Sequence, residues 1–142
     1  MPTLTETIAR WACDLKYEDL TTEAIDASKR FLYDTFGCAL GGYQTHDVKI
    51  FLEHLREMGG QGSCTVIGAG DKMDPLSASM LNALMVRAMD YNDIYWKQDP
   101  SHPSDVLAAP MALADRWTDW RIRRLAASGR TAVSSAERGE TT

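Results

Sequence analysis

Cysteine is scarce in this sequence: Cys13, Cys38 and Cys64 are the only three, and no two form a Cys-x-x-Cys pair. An odd, scattered set argues against a disulfide framework and a thiolate zinc site, and fits reduced thiols in a cytoplasmic setting. Long apolar runs are also missing. The uncharged apolar stretches fall well short of the roughly 18–20 residues that cross a bilayer, so no membrane partner is expected. The N-terminal stretch has no basic region leading into an apolar core, and Glu6 and Asp14 beside a single Arg10 argue against an Arg-rich transit peptide. Positive charge is in deficit as well. A net charge of −5 removes the usual reason to expect nucleic acid.

What remains is the composition of an ordinary globular chain. With 142 residues, 44% apolar and 25% charged, it fits one compact domain and excludes wholesale disorder. Helical periodicity dominates. Residues 3–15 carry Leu4, Ile8, Trp11 and Leu15 at helical spacing behind a Thr3/Glu6 capping box. A second helix places Ile25, Leu32, Phe36 and Ala39 on one face and stops at Gly41-Gly42. A third runs from about Asp47 to Met58 through Val48, Phe51, Leu52 and Leu55. Cys64–Ile67 is the single strand-like run, short and read as a connector. Asp74-Pro75 then opens a helix whose apolar face reads as Leu76, Met80, Leu84, Met85 and Ala88. Ser104 is the expected cap of a last helix, which Pro110 would kink. About five helices and almost no sheet predict an all-α bundle.

The chain divides by composition near Asp115. Residues 1–115 hold 17 acidic and 9 basic residues, whereas 116–142 hold 3 acidic and 6 basic, all arginine. The tail 116–142 is rich in Ala, Ser, Thr, Gly and Arg, and is expected to be poorly ordered or translated out of the ancestral frame.

Chemistry concentrates in one segment. Asp90, Asn92, Asp93, Asp99, His102 and Asp105 lie between two apolar helices, interleaved with Tyr91, Tyr95 and Trp96. Loops on rigid scaffolds often present sites, and a carboxylate at a helix C-terminus such as Asp90 opposes the helix dipole. Asn and Asp are equally turn formers, so spacing alone leaves site and turn as open alternatives. A calcium loop fails, because Ile94 and Tyr95 occupy positions that require an oxygen ligand and a glycine. No metal is expected, since the segment supplies one histidine and no thiolate. Gly68-Ala69-Gly70 lacks the third glycine and the preceding strand of a dinucleotide fingerprint. His46 and His54 read as surface residues, and Met80 and Met85 as core.

Met89-Asp90-Tyr91-Asn92-Asp93-Ile94-Tyr95-Trp96 followed by Pro100-Ser101-His102-Pro103-Ser104-Asp105 resembles the MmgE/PrpD family. Phe31–Gly42, Cys64–Gly68 and Ala108–Asp115 support the resemblance, which runs from about residue 5 to 115. The family includes 2-methylcitrate dehydratase, cis-aconitate decarboxylase and iminodisuccinate epimerase. The resemblance implies a partial helical domain over 1–115, a second α+β lid domain elsewhere, a homodimer in the full-length form, and no cofactor. It implies a small polycarboxylate substrate, a 2-methylcitrate-like acid of propionate catabolism being the closest in wording. Asp90 and His102 are carried over as catalytic residues, and Asn92, Asp93, Ile94, Lys97 and Ser104 as substrate-binding ones. Ile94 departs from the threonine that many members have. The remaining alternatives are decarboxylation or epimerisation within the family, and a non-catalytic helical interaction module.

Overall fold

The computed structural model describes residues 1–96 and 100–119. Its elements are α1 (Leu4–Asp14), a 3-10 turn at Tyr17–Asp19, α2 (Thr22–Gly42), α3 (His46–Glu57), β1 (Gln61–Thr65), β2 (Lys72–Met73), α4 (Pro75–Arg87) and a 3-10 turn at Pro103–Val106. Residues 108–119 form a further helix, here α5. The expected all-α character holds, with one addition: the strand-like run has a partner. β2 pairs antiparallel with β1, joining Gln61 and Cys64 to Met73 and Thr65 to Lys72 across a bulge. No described helix is long and apolar enough to cross a membrane.

Two compact units divide the chain, residues Met1–Tyr33 and Asp34–Thr142, with α2 running through the boundary. In the first unit the expected capping box is present. The Glu6 amide donates to Thr3 Oγ1 at 3.3 Å, and the Thr3 amide donates to Glu6 Oε2 at 2.7 Å. α1 buries none of its residues, so Leu4, Ile8 and Trp11 form an exposed apolar stripe.

The core lies in the second unit. Val48, Leu52 and Leu55 of α3 meet Ala78, Leu81, Met85 and Val86 of α4, together with Ala39, Cys64, Val66, Met73 and Ala112. Each fully buried aliphatic side chain here contributes about 1.5–3 kcal/mol. Gly42 is required where α2 ends, because a Cβ there would run into the Met85 carbonyl. The β1–β2 connection turns through Gly68 and Gly70, both at positive φ. A bidentate contact from Arg56 to Asp71, at 3.2 and 2.7 Å, ties α3 to that turn.

α4 differs from its expected orientation. Its buried residues are Ala78, Leu81, Asn82, Met85 and Val86, whereas Leu76 and Met80 are exposed. The helix is apolar nearly all round, so its sequence does not single out one stripe. A polar residue decides the face. Asn82, 1% exposed, accepts from the Ile67 amide at 3.0 Å and donates to the Thr65 carbonyl at 2.9 Å. Its amide does for this connector what a neighbouring strand would do.

α5 grips the same segment from another side. The Thr65 amide donates to Asp115 Oδ2 at 2.7 Å, and Cys64 Sγ donates to the Ala112 carbonyl at 3.2 Å. Pro110 is only the third residue of α5, where the donor it lacks has no partner to lose. The expected kink therefore has no hydrogen-bonding cause. Ser104 lies within the 3-10 turn instead of capping α5. Of the tail, residues 116–119 continue α5, and 120–142 lie outside the described residues.

Two outcomes follow from these anchors. Asn82→Ala strands the Ile67 amide and the Thr65 carbonyl, and should cost about 2–4 kcal/mol in urea unfolding. Asp115 sits below the usual carboxylate range, chiefly because it accepts the Thr65 amide, with burial opposing. A carboxyl lower in the folded state than unfolded adds stability above its unfolded pKa and loses it as pH falls through the folded one. Asp115→Asn should therefore show a shallower loss of thermal stability than the parent on acidification below about pH 4.

Candidate active-site loop

Residues 88–107 connect two helices that both hold the Cys64–Ile67 connector, so both ends of the loop are fixed. α4 ends at Arg87, and the Asp90 amide donates back to the Arg87 carbonyl at 2.9 Å. Asp90 itself has φ +50°, the only non-glycine at positive φ among the described residues. That conformation ends helices and normally selects glycine or asparagine. Its carboxylate faces an unfavourable helix C-terminus, which Arg87 offsets with an ion pair at 2.9 Å.

Arg87 also donates to Asn92 Oδ1 at 3.2 Å. Asn92 is buried, and its Nδ2 donates to Ser104 Oγ at 2.8 Å and to Asp105 Oδ1 at 3.3 Å. Asp93 holds the returning strand at two points. Its carboxylate Oδ1 accepts from the Ser104 amide at 3.1 Å, and its main-chain carbonyl meets His102 Nδ1 at 2.6 Å. Tyr95 and Ser101 pair across the loop, with N–H to O distances of 2.7 and 3.1 Å. The polar density noted in the sequence is thus a bonded structure spanning both halves of the segment.

The anticipated residues fall into three groups. Asp90 and His102 join this network, Asp90 through Arg87 and His102 through Asp93. Asn92, Asp93 and Ser104 direct polar atoms into the loop itself. Ile94 is exposed, and Lys97 lies outside the described residues. The imidazole partner is the Asp93 carbonyl. Sequence reading also left out Arg87 as a structural member; its spacing of three from Asp90 on a helical turn is the available signal.

Behind the loop, burial pushes the Cys38 thiol up, and the Asp34 and Asp93 carboxylates add to the effect. A thiol so placed stays protonated and is a poor nucleophile. Tyr91, Ile94, Tyr95 and Trp96 of the same segment are exposed.

A helix terminus that presents a carboxylate and a return segment that presents a hydrogen-bonded imidazole bring Asp90 and His102 into one bonded loop of a helical domain. The chain belongs to the MmgE/PrpD family: residues 6–133 match the MmgE/PrpD N-terminal domain. It is 31% identical to human cis-aconitate decarboxylase over 117 residues, covering 81% of this chain and 24% of that protein. Against the 2-methylcitrate dehydratase of Escherichia coli K12 it is 29% identical over 123 residues, covering 84% of this chain and 24% of the relative. The cis-aconitate decarboxylase of Aspergillus terreus is 26% identical over 104 residues, 73% of this chain and 21% of the relative. The chain therefore spans about a quarter or less of the length of these relatives.

The strained position gives a direct check on Asp90. If its carboxylate is retained for chemistry, Asp90→Gly should keep or raise the thermal midpoint. Asp90→Val should lose about 1–2 kcal/mol, because a β-branched residue resists the left-handed conformation.

Proposed function

We propose that this chain is the N-terminal, site-bearing part of a lyase that dehydrates a 2-methylcitrate-like polycarboxylate. The observation that carries the reading is the family match across the loop that holds Asp90 and His102. In the proposed step, His102 takes the proton from the carbon beside a substrate carboxylate. The released electron pair forms the carbon–carbon double bond as the carbon–oxygen bond breaks. The departing hydroxide takes a proton from an acid and leaves as water. Asp90 accepts a hydrogen bond from the substrate hydroxyl and orients it. A histidine suits the proton-accepting role because its ordinary pKa of ~6.5 lies close to neutrality.

A substrate with several carboxylates requires several positioned cations. Among the described residues of the loop, Arg87 is the one cationic side chain, and Asp90 and Asn92 already engage it. In this reading the remaining cations, the proton donor and a lid come from the three quarters of the relatives that this chain does not span. The longer protein is read as a cytoplasmic homodimer that needs no cofactor. A decarboxylating variant of the same chemistry is the second reading, favoured by the 31% identity to human cis-aconitate decarboxylase.

Assays with both acids, following the absorbance of the unsaturated product or substrate, separate these readings. The 142-residue chain alone should turn over neither 2-methylcitrate nor cis-aconitate. The protein extended to family length by its own downstream coding sequence should dehydrate 2-methylcitrate, and His102→Gln should lower its kcat by about 10²–10⁴-fold. Turnover by the short chain would sink the assignment of the missing cations, proton donor and lid to the longer protein. Activity on cis-aconitate alone would replace dehydration by decarboxylation.

A further inference from the structure

The loop offers more than two candidate catalytic side chains: it also fixes the chemical form of one of them. His102 Nδ1 lies 2.6 Å from the Asp93 carbonyl oxygen. A carbonyl can only accept, so in the neutral ring Nδ1 carries the proton and Nε2 carries the lone pair. A neutral imidazole free in water favours the opposite arrangement, with the proton on Nε2. Among the described residues nothing bonds Nε2. The nitrogen left open is the one that can accept a proton.

We propose that Asn92 and Asp93 are positioning residues that hold His102 as the Nδ1–H tautomer and present Nε2 as the proton acceptor. This rests on the reading of His102 as the base. Asp93 grips the ring through its carbonyl and the chain two residues further on through Oδ1, which accepts the Ser104 amide at 3.1 Å. Asn92 sets that register. Both protons of its amide are used, on Ser104 Oγ at 2.8 Å and Asp105 Oδ1 at 3.3 Å, while its oxygen accepts from Arg87 at 3.2 Å. It is 8% exposed and has no proton left for a substrate, so its amide acts on the loop and through it on the ring. Arg87 belongs to the last turn of α4, and the ring is thereby referenced to a helix packed in the core. Second-sphere hydrogen bonds of this kind set tautomer and ring plane in histidine sites generally.

The lock can be read in the 142-residue chain without any catalysis. Two-bond ¹H–¹⁵N spectra of ¹⁵N-histidine-labelled protein, recorded well above the ordinary imidazole pKa of ~6.5, distinguish a protonated from an unprotonated ring nitrogen. His46 and His54 are exposed and serve as internal references, and His102→Gln assigns the third ring. His102 should show a protonated Nδ1 and an unprotonated Nε2, with the two references in the ordinary Nε2–H form. Asn92→Ala should move the His102 pattern toward that of the references and leave His46 and His54 unchanged. Ser104→Ala removes one Asn92 partner without disturbing the backbone, and should produce a smaller shift in the same direction. It decides the matter if Asn92→Ala fails to fold. An Nε2–H pattern for His102 in the parent chain overturns the lock. An unchanged Nδ1–H pattern in Ser104→Ala and in any folded Asn92→Ala overturns the role of Asn92. Failure of dehydration in the extended protein, with the lock intact, counts against the proposed reaction and not against this inference.

Discussion

Two hydrogen bonds from the Asn82 amide hold the structure that everything else uses. The connector at Thr65–Ile67 has only a two-residue strand beside it, and its main-chain groups would otherwise face an apolar helix unpaired. Burying them without partners would cost several kcal/mol. Asn82 satisfies one donor and one acceptor, and in doing so selects which face of α4 turns inward. Asp115 and Ala112 then fasten α5 to the same segment. A short strand thus sets the spacing between two helices, and those helices carry the two ends of the candidate loop.

This arrangement explains which parts of the fold were legible in the sequence. Helix starts were clear because capping is local: Thr3 with Glu6, and Asp74 before Pro75, act within one turn. The α3 stripe was clear as well, since Val48, Leu52 and Leu55 are separated by charged residues. The α4 face was not. Leu76 and Met80 look as suitable for burial as Leu81 and Val86, and the deciding contact involves a connector some fifteen residues away. β2 also escaped notice, for Lys72-Met73 is too short to alternate.

The site divides along the same line. Polar density and motif wording located the loop, and a carboxylate against the helix dipole marked Asp90. The internal connections were beyond reach. The ring of His102 is met by a main-chain carbonyl, which any residue at position 93 would possess. No side-chain pattern announces such a contact. Asn92 was legible as a candidate and illegible as to its contacts, because an amide that binds substrate and one that binds its own loop read alike in sequence.

Among the described residues, the side-chain hydrogen bonds that join the two halves of the loop fall between Arg87 and Asp105, and this bears on the order of assembly. Contacts separated by so few residues close in roughly 10–100 ns once the supporting helix exists, whereas a ribosome adds about 5–20 residues per second. During synthesis of a longer family protein, this loop would take its final form long before distant sequence emerged. The later segments would then fold against a template already in place.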